Sequence, residues 1–209
     1  MSDLRINNSK QSSGLFTENN THYFISGLEG PVLIFIHGVG LCSEIWEPQV
    51  EYFSKQYKVI TYDFLGHGLT PPASKSPTIE DYVEQLNDLV DSLGISSFSL
   101  IGHSMGAIIS VAYSLKYEDK INSLIPLNIV YKRSSDAREQ VLDRANKILQ
   151  AGEIGNIEQT MSRWFENKKE PDQTEKINKV RQLLLSASPK GYGHAYKLFA
   201  MSDSIFENL

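Results

Sequence analysis

Phe98-Ser99-Leu100-Ile101-Gly102-His103-Ser104-Met105-Gly106 is the stretch that decides the fold. Phe98 to Ile101 is apolar enough for a strand, and an amphipathic helix is predicted from Met105 through about Tyr117. Between them stands Gly-x-Ser-x-Gly, with Gly102 and Gly106 on either side of Ser104. A sharp strand-to-helix turn holds a serine hydroxyl outside the fold. Glycines at its shoulders remove side chains that would clash with the neighbouring strand and helix, and Ala107 keeps the region small. A serine is a poor nucleophile unless it is held so, beside a base and beside donors for a developing oxyanion. The helix that begins beside Ser104 points its positive end at the same place. Ser104 is therefore expected to be the nucleophile of an acyl-transfer enzyme.

Outward from this turn, strands and helices alternate. Val32-Leu33-Ile34-Phe35-Ile36 is a continuous apolar run, as a strand buried on both faces needs. Tyr57 to Tyr62 and a part of Ile121 to Val130 are further strand candidates. His22 to Ser26, punctuated by Gly27 and Gly30-Pro31, reads as an edge strand and a turn. Thr78-Ile79-Glu80-Asp81 resembles a capping box. After it Tyr82, Val83, Leu86, Leu89, Val90 and Leu93 share one helical face, before Gly94 closes the helix. This alternation predicts the α/β class, a mostly parallel sheet with helices on both faces. After about Tyr131 no strand is convincing. Ala137 to Ala151, Ile157 to Phe165, Thr174 to Ala187 and Pro189 to Met201 read as helices, with Asp172 and Ser188 as N-caps. The expected organisation is an α/β core over residues 1–131 and a helical segment over 132–209.

Composition narrows the functional classes. The chain of 209 residues is 41% hydrophobic and 22% charged, an ordinary globular balance. A net charge of −5 with no basic run argues against nucleic acid. The longest apolar run, Val32 to Ile36, is far too short to cross a bilayer, and the N-terminal residues do not resemble a secretory signal. Cys42 is the single cysteine, which fits a reducing compartment and a cytoplasmic location. The expected partner is a small-molecule substrate, with no cofactor, metal, membrane or nucleic acid; oligomeric state is left open.

Two more motifs follow strands. His37-Gly38-Val39-Gly40 comes directly after Val32–Ile36, and its glycine pair lets the backbone turn an amide toward a reacting carbonyl. The oxyanion hole is assigned to the backbone N–H groups of Val39 and Met105, and the His37 side chain to bonding the loop. Asp63-Phe64-Leu65-Gly66-His67-Gly68-Leu69-Thr70-Pro71 follows the next strand. Asp63 and His67 are read as scaffold residues that brace this loop, because both precede the nucleophile.

Together these motifs, with Trp46 after the first, resemble the α/β-hydrolase superfamily. The nearest likeness is to the branch of 3-oxoadipate enol-lactonases, small esterases and related carbon–carbon bond hydrolases. The helical segment resembles that family's lid, and Arg163-Trp164-Phe165 and Gly191-Tyr192 have parallels in the lactonase-like branch. The resemblance implies a serine hydrolase of an ester, lactone or similar carbonyl, with Trp46, Trp164, Phe165 and Tyr192 as substrate-binding residues. The same residues, with Met105, could equally pack lid against core. A triad also needs an acid and then a histidine after the serine. The chain reaches Leu209 about where the next strand would approach, so an incomplete copy with little activity and an exposed sheet edge is expected. His194 is the one histidine after Ser104, with Asp136, Asp143 or Asp172 as partners; Asn128 stands where some relatives keep the acid. The alternative is a non-catalytic relative that binds a ligand or a partner.

Overall fold

In the computed structural model, which describes residues 14–165 and 173–208, the apolar runs lie side by side in one six-stranded sheet. The strands are β1 (Leu15–Phe16), β2 (His22–Ser26), β3 (Val32–Ile36), β4 (Lys58–Tyr62), β5 (Phe98–His103) and β6 (Ile121–Leu127). Their order is β1-β2-β4-β3-β5-β6. The pairs from β4 through β6 are parallel, and β1 and β2 run antiparallel at one side. Helices α1 (Glu47–Phe53), α2 (Ile79–Ser92) and α3 (Met105–Lys116) join them.

The period-two alternation of β3 decides which helix covers which face. Ile34 and Ile36 join Ile60 and Leu100 in the larger core, with Leu86 and Leu89 of α2 and Ile108 of α3. Leu33 and Phe35 point the other way, onto Trp46 with Val50 and Phe53 of α1. α2 starts on the predicted capping box: Asp81 Oδ2 accepts from the Thr78 N–H at 2.6 Å, while Thr78 Oγ1 accepts from the Asp81 N–H. It ends beside Gly94 at φ +63.

α4 (Ser135–Ala151), α5 (Ile157–Phe165), α6 (Thr174–Ser186) and α7 (Pro189–Met201) form the helical segment. Ser188 Oγ accepts from the Gly191 N–H, the predicted cap of α7. The predicted cap Asp172 lies outside the described residues.

One expectation needs correction, and one helix has no period to announce it. β2 is not the sheet edge, because β1 pairs with it over two residues, too few for any periodicity to show. α1 is not marked by a pattern either: it spans seven residues and buries none of them, though Pro48 in its first turn is a helix-start signal. At the opposite edge β6 has no further neighbour among the described residues, and Ile125 and Leu127 are exposed on it.

Backbone crowding separates the glycines that the fold requires from those it tolerates. A Cβ on Gly106 would lie 2.4 Å from the Ile36 carbonyl oxygen, whereas one on Gly94 would meet nothing within 4 Å. Gly106→Ala is expected to cost about 3 kcal/mol or more, since backbone must move. Gly94→Ala should cost only the left-handed penalty of about 1 kcal/mol. Urea unfolding of the two variants measures the difference; equal losses would contradict this account of the turn.

Candidate active site

β5 delivers its last residues into a turn that only small neighbours permit. Ser104 sits at φ +57 and ψ −114, a region that costs a non-glycine residue roughly 1–3 kcal/mol. Its N–H donates to the Leu127 carbonyl at 2.9 Å, which ties the turn to the end of β6. Its own carbonyl accepts from the Ala107 N–H at 3.0 Å, the first bond of α3. A Cβ on Gly102 would fall 2.1 Å from the Gly106 oxygen, so both shoulders must be glycine.

The turn after β3 lies directly on this elbow. A Cβ on Gly38 would sit 3.1 Å from His103 Nδ1 and 3.4 Å from Ser104 Cβ. The His37 ring underpins the turn as expected. Its Nδ1–H donates to the Gly38 carbonyl at 2.8 Å, and its Nε2 accepts from the Phe64 N–H at 3.2 Å. It stacks on Phe64 with centroids 4.1 Å apart. Neither the Val39 N–H nor the Met105 N–H has a hydrogen-bond partner among the described residues. The Met105 side chain is fully buried and faces the core.

Asp63 braces both loops, in the scaffold role expected of it. Its carboxylate accepts from His22 Nδ1–H at 2.7 Å, the Ser43 N–H at 2.7 Å and the Leu69 N–H at 3.0 Å. Burial by itself would raise its pKa, but these donors and the nearby His37 outweigh burial and hold it at about 2. His67 is buried, with Nδ1 near the Leu65 carbonyl at 3.2 Å and Nε2 unpartnered. Burial also pushes the half-buried Cys42 thiol up to about 12, which removes it as a nucleophile at neutral pH.

A cavity of about 700 Å³ opens over Ser104. Val39, Trp46, Trp164, Phe165 and Tyr192, all singled out in the sequence, line it together with Ser104. Trp46 has two roles, since it also packs on Phe35 with centroids 5.0 Å apart. Tyr196 and Phe199 line the cavity too, as does Gln49. The first two fall four and seven residues after Tyr192, a helical spacing that could have disclosed them. Exposed Leu127 and Asn128 form the side next to β6, Asn128 at φ +52.

The structure does not bring His194 to Ser104. Its Nδ1 lies 3.2 Å from Ser76 Oγ, and the residue does not line the cavity. Asp143 pairs with Lys147, and Asp136 lies beside Ser135; Asp172 is outside the described residues. His103 is the one histidine in the cavity wall among the described residues, and burial lowers its pKa. No group of side chains suited to a metal occurs among the described residues, and no helix there is long and apolar enough to cross a membrane.

The sequence model of the alpha/beta hydrolase fold family matches residues 31–186. The (E)-2-((N-methylformamido)methylene)succinate hydrolase of Acinetobacter baylyi is 37% identical over 194 residues, which are 92% of this chain and 71% of that protein. The 3-oxoadipate enol-lactonase 1 of the same organism is 27% identical over 180 residues, 86% of this chain and 66% of that protein. Among solved structures, a thermophilic esterase from Thermogutta terrifontis superposes with a TM-score of 0.78 at 26% identity, over 94% of this chain and 74% of that one. An enol-lactonase from Burkholderia xenovorans gives 0.78 at 24% identity, over 88% and 72%, a likeness of fold. The chain belongs to the alpha/beta hydrolase fold family, and within it to proteins named as hydrolases. It spans about two thirds to three quarters of the length of these relatives.

Burial pushes the pKa of His37 down to about 4 and that of His67 to about 3, from an ordinary 6.5. Both rings stay neutral in the fold, while the unfolded chain protonates them near pH 6.5. Below that pH the unfolded state binds more protons. Stability should therefore fall from about pH 6.5 toward about pH 4, by about 1.4 kcal/mol per pH unit for each ring. Urea unfolding at about pH 7 and about pH 5 measures this slope; equal stability at both would contradict neutral burial.

Proposed function

We propose that the chain is a serine hydrolase of a carboxylic ester, lactone or similar activated carbonyl, with Ser104 as nucleophile. One observation carries this reading: Ser104 stands at φ +57 under a cavity that Val39 also lines, and neither the Val39 nor the Met105 N–H has a partner among the described residues. Ser104 Oγ adds to the carbonyl carbon, and the displaced electron pair moves to the oxygen, which accepts from Val39 and Met105 N–H. Collapse expels the leaving oxygen, which takes up the Oγ proton by way of water, and the acyl group left on Oγ is released as the acid when water adds and returns a proton to Oγ. Residues 132–209 act as the lid. Trp46, Trp164, Phe165 and Tyr192 hold the apolar part of the substrate, and the single cysteine Cys42 fits a reducing, cytoplasmic location.

The hydroxyl proton needs an acceptor. Among the described residues no imidazole paired with a carboxylate lines the cavity. Loss of triad members costs about 10⁴ to 10⁶ in kcat in a serine protease, so these 209 residues should turn over slowly.

The substrate is read as an anionic one. The two Acinetobacter relatives carry succinate and oxoadipate in their names. Among the described residues Arg163 is the only lysine or arginine lining the cavity, and it has no ion-pair partner there. A guanidinium fork suits a carboxylate.

A fluorophosphonate ester tests the nucleophile: the Oγ–P bond forms as P–F breaks, fluoride leaves and the proton passes to water. Intact-mass analysis should find one slow adduct at Ser104 and none in Ser104→Ala. Tight binding of esters with no adduct would instead support the non-catalytic binding relative, which His194, held at Ser76 and away from the cavity, favours. The anion is tested separately. Arg163→Gln should weaken binding of a dicarboxylate ester about tenfold or more and spare its neutral methyl ester. Equal loss for both would contradict the carboxylate reading.

A further inference from the structure

The oxyanion turn has an inner and an outer side, and different parts of the chain close them. Inside, Gly38 lies on His103 and Ser104. The bond across the turn, from the Leu41 N–H to the Gly38 carbonyl, is long at 3.3 Å. Outside, Gly40 at φ +76 has no side chain of its own, and a Cβ there would lie 2.6 Å from Tyr192 Cε2 and 2.8 Å from Leu184 Cδ2. The tyrosine ring and the leucine therefore rest on the turn itself. Both side chains are about 1% exposed, and Leu184 is the one residue that α6 buries completely.

The neighbours of Tyr192 fix its ring in place. A Cβ on Gly191 would fall 1.8 Å from the Gly66 carbonyl oxygen, so α7 touches the second loop of the site backbone to backbone. One on Gly193 would fall 2.6 Å from Leu149 Cγ, so the same turn of helix is pressed against α4. Three consecutive residues thus meet three different elements. A segment held this way acts as a fixed brace and has little freedom to swing.

We propose that Tyr192, backed by Leu184, is a positioning residue that holds the Val39–Gly40 peptide in register with Ser104. The inference rests on the reading of Val39 N–H as an oxyanion donor. A glycine-flanked turn is conformationally free by itself, and an oxyanion donor acts only when it is aimed before the charge develops. The core supplies one wall of that aim and α7 the other. Tyr192 then matters to the chemical step as well as to the cavity surface it contributes.

Hydrogen exchange and labelling kinetics on the full chain test this together. In Tyr192→Ala the Leu41 amide, whose bond to the Gly38 carbonyl closes the turn, should exchange about tenfold faster or more. The limiting rate of fluorophosphonate labelling should fall about tenfold or more, with the half-saturating probe concentration changed less than about threefold. Tyr192→Phe, which keeps the ring, should restore the exchange protection. Leu89→Ala in α2, a core truncation away from the site, controls for general destabilisation and should leave protection of the Leu41 amide unaltered relative to the rest of the sheet. Loss of probe affinity with exchange and limiting rate unchanged would overturn the proposal and leave Tyr192 as cavity wall only. If wild-type Ser104 takes no label, the hydrolase reading fails, and the exchange data still decide whether Tyr192 holds the turn.

Discussion

Everything at the site depends on how closely the start of α3 approaches the end of β3. Ile36 pairs with Gly102 across parallel strands, so both strands end at the same level of the sheet. The chain leaves β5 through Ser104 and turns back so tightly that the Gly106 Cα faces the Ile36 and His37 carbonyls. That contact leaves no room for a Cβ. It also brings the Gly38 turn onto the serine, so that two unpartnered N–H groups and one hydroxyl share one end of the sheet. The positive φ of Ser104 is a local cost, roughly 1–3 kcal/mol, that strand pairing and helix packing on both sides offset.

Buried polar groups beneath the turns keep the loops from relaxing. Asp63 draws His22, Ser43 and Leu69 to one carboxylate, thereby joining β2, the segment after the Gly38–Gly40 turn and the Gly66–Gly68 loop. Gly68 is required there, because a Cβ would fall 2.0 Å from Asp63 Oδ2. A buried carboxylate is costly unless its lone pairs are satisfied, and three donors satisfy this one. His37 and His67 are kept neutral by the same burial. The network therefore makes loop geometry sensitive to acid without lending any charge to the chemistry.

Much of this was legible before any coordinates, and the reasons differ by element. α5 and α7 run over the predicted residues, and β3 does so because a run of five branched or aromatic apolar residues has few other uses. Ser104, Val39, Trp46, Trp164, Phe165 and Tyr192 all reach one cavity, since motif spacing and the elbow geometry carry that information. What stayed hidden depends on contacts with no period. β1 is two residues long, α1 hides behind Trp46, and no pattern reveals that Gly40 meets Tyr192 or that Gly191 meets Gly66. The glycines are visible as glycines, but the partners that require them are set by tertiary packing. His194 shows the reverse: its residue type suggests chemistry, but its place inside a predicted helix rather than on a loop speaks against it, and on α7 it is directed to Ser76.

The Val39 and Met105 N–H groups are proposed as the oxyanion hole for Ser104. A crystal structure of the chain after reaction with a fluorophosphonate ester tests it most directly. A phosphonyl oxygen is expected within about 2.7–3.1 Å of both nitrogens, with the alkyl chain running toward Trp164 and Phe165. An adduct whose oxygen points to solvent, with those two N–H groups unengaged, would contradict it.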